Sequence, residues 1–244
     1  MLAKLANTKR GYNLSKDFLT DKPLYDITRF TTLDFPKNLA CIFWFCKCNM
    51  RCPYCYNTPV VFGEGKTEIK EALGFLETRQ NRLTGVVLSG GECTLYPHLF
   101  ELCKEIKKLG FKIKIDTNGT NPKLIKKLIQ NSLVDYIALD YKAPKEIFEE
   151  ITQNKNFKEF QTTLKYLIQK NFNFEVRTTV HSNLLNENDI NNIIDDLWKQ
   201  GYNNIYYLQN YLHVEDTIGK LENQKRVIDT NKLSNKIEIE LREF

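Results

Sequence analysis

The chain has 244 residues, 42% hydrophobic and 27% charged, with 35 basic against 30 acidic side chains and a net charge of +5. That make-up suits one globular α/β core and excludes a disordered chain, a collagen-like repeat and a disulfide-stapled miniprotein. The longest apolar run, residues 39–46, falls short of the ~20 residues of a membrane span, and the N-terminus has no apolar signal core. A cytoplasmic protein without membrane contact is therefore expected, and its seven cysteines point to a metal site before a disulfide framework.

Residues 1–24 are polar and weakly periodic and read as an N-terminal extension, with a core at 25–210 and a C-terminal segment at 211–244. Leu39 to Cys46 predicts a buried strand, Thr67 to Arg79 a helix, Gly85 to Ser89 a strand and Leu95 to Leu109 a helix. The unit then recurs. Phe111 to Asp116 is a strand, Asn121 and Pro122 cap a helix carrying Leu124, Ile125, Leu128 and Ile129, and Leu133 to Asp140 is a strand. Phe157, Phe160, Leu164, Leu167 and Ile168 mark a helix before the strand Asn173 to Val180. Ile190, Ile193, Ile194, Leu197 and Trp198 mark another before a sixth strand near Ile205 to Leu208, and Lys236 to Leu241 alternates like an edge strand. Six strand–helix alternations imply an α/β fold with a parallel open sheet, a partial (β/α)6 barrel. Lysines such as Lys104, Lys107, Lys108, Lys123, Lys126 and Lys127 lie on polar helix faces, and no nucleic-acid motif accompanies them.

The unusual polar residues gather where parallel α/β folds put active sites, at the C-terminal ends of strands. Cys48, Cys52 and Cys55 follow the first strand, Ser89, Gly90, Gly91 and Glu92 the second, Asp116, Thr117, Asn118 and Gly119 the third, and Asp140 and Lys142 the fourth. On the fifth strand, alternation puts Phe174, Val176 and Val180 on one face and Arg177 and Thr179 on the other, so Arg177 points into the barrel if the apolar face meets the helices. Thiolates suit iron–sulfur clusters or zinc. Three cysteines at CxxxCxxC spacing can hold three irons of a 4Fe-4S cluster and leave the fourth open to a small molecule; the alternative is a four-cysteine structural zinc that includes Cys46. Cys41 and Cys103 read as core thiols, and His98, His181 and His213 have no ligand spacing.

Cys48, Cys52, Tyr54 and Cys55, together with Gly90-Gly91-Glu92, resemble the two signatures of the radical S-adenosylmethionine (radical SAM) superfamily. The resemblance implies one 4Fe-4S cluster on the three cysteines, chelated by the amine and carboxylate of SAM. One electron from the reduced cluster then breaks the sulfonium to give a 5′-deoxyadenosyl radical that abstracts hydrogen. It further implies that Glu92 accepts from the SAM amine, that Gly90 and Gly91 allow close approach, and that Tyr54 offers main-chain contact to the adenine.

From about Leu24 to Gln209 the chain is similar to glycyl radical enzyme activating enzymes, most of all those serving anaerobic ribonucleotide reductase. Thr32 to Pro36, Cys52 to Asn57, Asp116 to Gly119 and Val134 to Pro144 carry the likeness. By that likeness Asp116, Thr117, the Ala138 carbonyl and Asp140 would hold a monovalent cation, with Lys142 and Arg177 on the carboxylate side of SAM. Asn118 and Thr179 complete the expected cofactor contacts. The partners implied are a glycyl radical enzyme as protein substrate and a flavodoxin- or ferredoxin-type electron donor. Lys37 and Lys47 stand where the family has glycine, which predicts a different loop path, because lysine tolerates positive φ poorly. Tyr56 replaces a usual histidine, and Leu208 to Tyr211 lacks another. Two rival readings are a radical SAM enzyme acting on a small molecule such as a deazapurine, and a non-catalytic zinc or iron–sulfur module.

Overall fold

The computed structural model describes residues 15–214 and 216–244; most of the expected N-terminal extension lies outside them. In chain order the elements are α1 (Lys16–Thr20), β1 (Leu24–Thr31), β2 (Ala40–Phe45), α2 (Thr58–Phe62), α3 (Ile69–Glu77), β3 (Gly85–Gly90), α4 (Leu99–Lys108) and β4 (Lys112–Thr117). There follow α5 (Pro122–Gln130), β5 (Tyr136–Asp140), α6 (Phe148–Thr152), α7 (Phe157–Gln169), β6 (Phe174–Val180), α8 (Glu187–Lys199), β7 (Tyr206–Asn210) and β8 (Ile239–Arg242). One sheet runs in sequence order from β1 to β8. Strands β2 to β7 are parallel, as the alternation predicts, and the expected edge strand β8 adds parallel to β7.

Strand β1 has no counterpart among the predicted elements. It pairs antiparallel with β2 through partners such as Ile27 and Phe43, and its mixed burial explains why no period stands out in the sequence. Residues 15–20 also join the core: Ser15 caps α1 by accepting from Phe18 N at 3.2 Å, and Phe18 is buried. The helix expected from Leu95 begins instead at Leu99, after a 3-10 turn at Cys93–Leu95, because Pro97 disfavours a helical conformation at Tyr96, which is extended at φ −69° and ψ 117°. Trp198 is half exposed rather than on the buried face of α8.

Strand alternation divides the interior in two. Outward residues such as Phe43, Leu88, Ile115, Leu139 and Val176 meet the helices in one large apolar core. Inward, Phe35, Ala40, Ile42 and Val87 plug one end of the barrel, with Trp44 and Tyr136 against them. Phe35 comes from the Thr32 to Pro36 segment and lies where a Cβ on Gly85 would meet its ring at 2.7 Å. The other end of the lumen is polar, and there the C-terminal ends of the strands converge. Helix termini are fixed by local chemistry: Glu68 with Glu71 and Asn186 with Asp189 form capping boxes on α3 and α8, and the Asn121 side chain accepts from Leu124 N at 3.2 Å.

Candidate active site

The cysteine loop leaves β2 and is pinned to its neighbours mostly through backbone. Glu92 N donates to Lys47 O at 2.8 Å and Gly91 N to Phe45 O at 2.9 Å. The two motif glycines make this possible. A Cβ on Gly90, whose φ is +116°, would lie 2.5 Å from Phe45 N and O, and one on Gly91 would lie 1.9 Å from Lys47 O. Close approach here is to the cysteine loop itself. Lys37 and Lys47 both adopt the left-handed conformation that glycine favours, at φ 60° and 72°, so each is a strained lysine.

Polar side chains lash the loop further down. Asn49 Nδ2 donates to Thr120 Oγ1 at 2.8 Å, Asn118 Nδ2 donates to Asn49 Oδ1 at 2.8 Å, and Asn154 Nδ2 donates to Asn49 O at 2.8 Å. Arg51 reaches back to the Cys48 and Met50 carbonyls, both at 2.7 Å. From the far end of the chain, Ile218 N donates to Cys55 O at 3.0 Å and Gly219 N to Pro53 O at 2.9 Å. The C-terminal segment thus straps the cysteine loop, a role that its sequence does not display.

Cys52 is buried and Cys48 and Cys55 partly so. Burial pushes the Cys48 thiol up to about 12, with Glu92 adding to it, and pushes Cys52 up against the opposing pull of Lys142. Such thiols stay protonated until a metal ion binds the sulfur and displaces the proton, which fits iron ligation. Three thiols on one short loop can each take one iron, so the donor set fits a 4Fe-4S cluster. Cys46 feels chiefly burial, then Lys47, Lys66 and Glu64. Tyr54 is buried with Met50, Cys52, Ala143 and Tyr211, its ring 6.0 Å from Lys142 Nζ.

Glu92 is 1% exposed and receives four hydrogen bonds. Oε1 accepts from Thr94 N at 3.1 Å, Thr94 Oγ1 at 2.5 Å and Thr117 Oγ1 at 2.8 Å, and Oε2 from Asn118 N at 2.7 Å. Burial pushes its carboxyl up and these donors oppose the push. Oε2, with a single donor, retains acceptor capacity for an ammonium.

Inside the lumen, Arg177 does point inward. Its Nε meets Asp140 Oδ1 at 2.5 Å and its Nη2 meets Asp116 Oδ2 at 3.5 Å. Lys142 Nζ meets Asp140 Oδ2 at 3.0 Å, Ser89 Oγ donates to Asp116 Oδ2 at 3.0 Å, and Lys114 Nζ meets Asp116 Oδ1 at 2.7 Å. The register aligns these groups, with Asp116 beside Ala138 and Asp140 beside Arg177. Burial would raise both aspartates, yet Lys114 and Arg177 hold Asp116 below its ordinary range, and Arg177 and Lys142 hold Asp140 at about 2. On this face Lys114, Lys142 and Arg177 meet Asp116 and Asp140, and the buried Glu175, two residues before Arg177 on β6, also acts on Arg177, so acidic and basic groups are closely matched. Thr179 shares this inward face, in register with Gln209. Lys114, Asn49 and Arg51 are absent from the sequence-derived site; the alternation Lys112, Lys114, Asp116 on a buried strand is the signal that would have found Lys114.

Among the described residues no helix is long and apolar enough to cross a membrane. The chain matches the radical SAM superfamily over residues 42–197. It is 33% identical over 177 residues, 68% of this chain and 72% of the relative, to a Methanocaldococcus jannaschii protein named "Putative glycyl-radical enzyme activating enzyme MJ1227". It is also 33% identical over 97 residues, 40% of this chain and 41% of the relative, to 7-carboxy-7-deazaguanine synthase of Neisseria meningitidis. The fold resembles that of Streptococcus suis SuiB bound to S-adenosylmethionine, with a TM-score of 0.63 at 15% identity, covering 82% of this chain and 51% of that one. The chain therefore spans about half the length of that solved structure. With the profile covering well over half of the sequence and the cysteine loop on the polar rim of a partial barrel, the chain belongs to the radical SAM superfamily, whose enzymes use a 4Fe-4S cluster and SAM.

Proposed function

We propose that the protein is an activating enzyme that installs a glycyl radical on a partner enzyme, with an anaerobic ribonucleotide reductase as the substrate we favour. The observation that carries this reading is the 33% identity over 68% of the chain to the archaeal glycyl-radical activating relative. In this reading Cys48, Cys52 and Cys55 hold the cluster. When bound, the cluster and SAM supply reductive cleavage and hydrogen-atom abstraction. The chain's own residues position and shield. Asp140 and Asp116 hold Lys142 and Arg177, which would meet the SAM carboxylate, Glu92 Oε2 would accept from the amine, and Tyr54 and the 217–219 strap pack against the cysteine loop. Thr117 and Asn118 fix Glu92, and Thr179 borders the same lumen. A flavodoxin- or ferredoxin-type protein supplies the electron.

The test is electron paramagnetic resonance on anaerobically reconstituted protein mixed with SAM, reductant and the candidate reductase. A glycyl radical doublet that disappears in Cys52→Ala and persists in Cys103→Ala supports the proposal. A reduced cluster that responds to SAM but yields no doublet overturns it in favour of the small-molecule reading, to which the deazaguanine synthase likeness lends support.

A further inference from the structure

We infer that the Tyr54 hydroxyl donates a hydrogen bond to the Cys52 thiolate of the loaded enzyme and so raises the potential at which the cluster takes up its electron. The inference rests on the reading of Cys52 as a ligand of the 4Fe-4S cluster, and it is independent of which partner or substrate the radical serves.

The turn that carries Tyr54 fixes where its side chain goes. Cys55 N donates to Cys52 O at 3.0 Å, closing a four-residue turn with Pro53 second and Tyr54 third. Proline at that place pre-sets the backbone. The 217–219 strap clamps the turn through Gly219 N on Pro53 O at 2.9 Å and Ile218 N on Cys55 O at 3.0 Å, and a Cβ on Gly219 would stand 2.5 Å from Pro53 Cβ. The ring is thereby held buried, 5% exposed, in one apolar cluster with Met50, Ala143, Phe148 and Tyr211.

In those surroundings the hydroxyl is an orphan: among the described residues it has no hydrogen-bond partner. A buried polar atom in that position is unfavourable, and a redox role is one of the reasons a native protein retains it. The apolar neighbours offer no acceptor, and Tyr211, whose own hydroxyl is also unpartnered, does not take the proton. Lys142 Nζ, 6.0 Å from the ring centroid, has donors only and is held by Asp140 at 3.0 Å. Cys52 Sγ is the group at hand. Burial dominates the acidity of that thiol, and Lys142 and then the Tyr54 hydroxyl oppose it. As a thiol the sulfur is a weak acceptor; as a metal-bound thiolate it carries charge, and a hydrogen bond to it is charge-assisted. Such a bond favours the reduced cluster, which holds one more negative charge, and is among the levers by which a protein sets an iron–sulfur potential.

The experiment compares the full chain with Tyr54→Phe, which removes one oxygen and keeps the ring. With the cluster reconstituted anaerobically and SAM absent, a redox titration followed by electron paramagnetic resonance reads the potential. At a fixed reductant potential the ratio of reduced to oxidised cluster is expected to fall about fivefold in the variant, about 40 mV for a one-electron couple. Tyr166→Phe, which removes an unpartnered hydroxyl from α7, is expected to stay within about twofold of wild type. Without the cluster, Tyr54→Phe should melt no lower than wild type, because no bond within the chain is lost. A ratio that rises or falls less than about twofold, an equal fall in Tyr166→Phe, or a cluster-free variant melting more than about 2 °C lower overturns the inference. Should Tyr54→Phe not load iron, 3-fluorotyrosine placed at position 54, a more acidic donor of nearly the same size, reads the same bond: a higher potential supports it and an unchanged one overturns it. Weaker SAM binding with an unmoved potential would give the hydroxyl to SAM and overturn the inference as well. Wild-type protein that yields no four-iron cluster by iron and sulfide analysis would remove the reading of Cys52 and the inference together, whereas a full cluster with an unmoved potential removes the inference alone.

Discussion

Replacing Gly91 by alanine perturbs the contact that joins the Gly-Gly-Glu turn to the cysteine loop. The new methyl would stand 1.9 Å from Lys47 O, 2.6 Å from Lys47 C and 3.3 Å from Cys48 N, all backbone atoms. Cβ atoms do not come within 3.0 Å of such neighbours, so the two chains must part by roughly 1 Å in a close-packed region. That movement stretches the 2.8 Å bond from Glu92 N to Lys47 O out of hydrogen-bond range. Loss of a buried backbone bond costs about 1–3 kcal/mol and overpacking about 1–3 kcal/mol; because one displacement relieves both, about 2–4 kcal/mol is expected. For a chain of this size that lowers Tm by about 4–16 °C. Cys48 moves with the loop, so iron and sulfide per chain after reconstitution should fall in parallel. Gly74→Ala is the matched control: Gly74 lies inside α3 with no atom within 4 Å of its prospective Cβ, and alanine there should stabilise by about 0.4–1 kcal/mol. Thermal unfolding of the apo protein followed by circular dichroism, with iron analysis of the loaded one, reads both. A Gly91→Ala protein that melts within about 2 °C of wild type and loads full iron would refute the reasoning.

Lys47→Gly should raise stability by about 0.5–1 kcal/mol in a denaturant titration, since a left-handed lysine costs about 1–2 kcal/mol and glycine gives back part of that as chain entropy. Asp140 is held at about 2 against an ordinary 3.8, so its contribution is complete above pH 4 and vanishes as pH falls through 2. That is about 2 kcal/mol of acid-labile stability, which Asp140→Asn should remove from the stability–pH curve. With its thiol at about 12, Cys48 in the apo protein should react with iodoacetamide at pH 8 some ~10³-fold more slowly than a free thiol, as mapped by peptide mass spectrometry. Rapid alkylation of Cys48 would show that the thiolate is exposed and stabilised instead.

Much of the architecture was legible because parallel strands buried on both faces and amphipathic helices have distinct periods. The runs at Leu39 to Cys46 and Gly85 to Ser89 recur as β2 and β3, and the strand-end clusters come together on one rim. Strand β1 carries no clean alternation because its burial is mixed along its length, and the start of α4 is set by a proline. The chemical types at the site, three close thiols and the acidic and basic groups that follow each strand, are properties of local sequence: a strand end determines which residues face the rim. Which of those groups pair is a matter of register between strands far apart in the chain. Asp116 is shared by Lys114, two residues away, and by Arg177, two strands away, while Ser89 reaches it from the strand on its other side. Residues 217–219 reach the cysteine loop only because the sheet brings the chain's two halves together. The same holds for the motif glycines, whose need to be glycine comes from a backbone that passes beside them in space and lies some forty positions earlier in the chain.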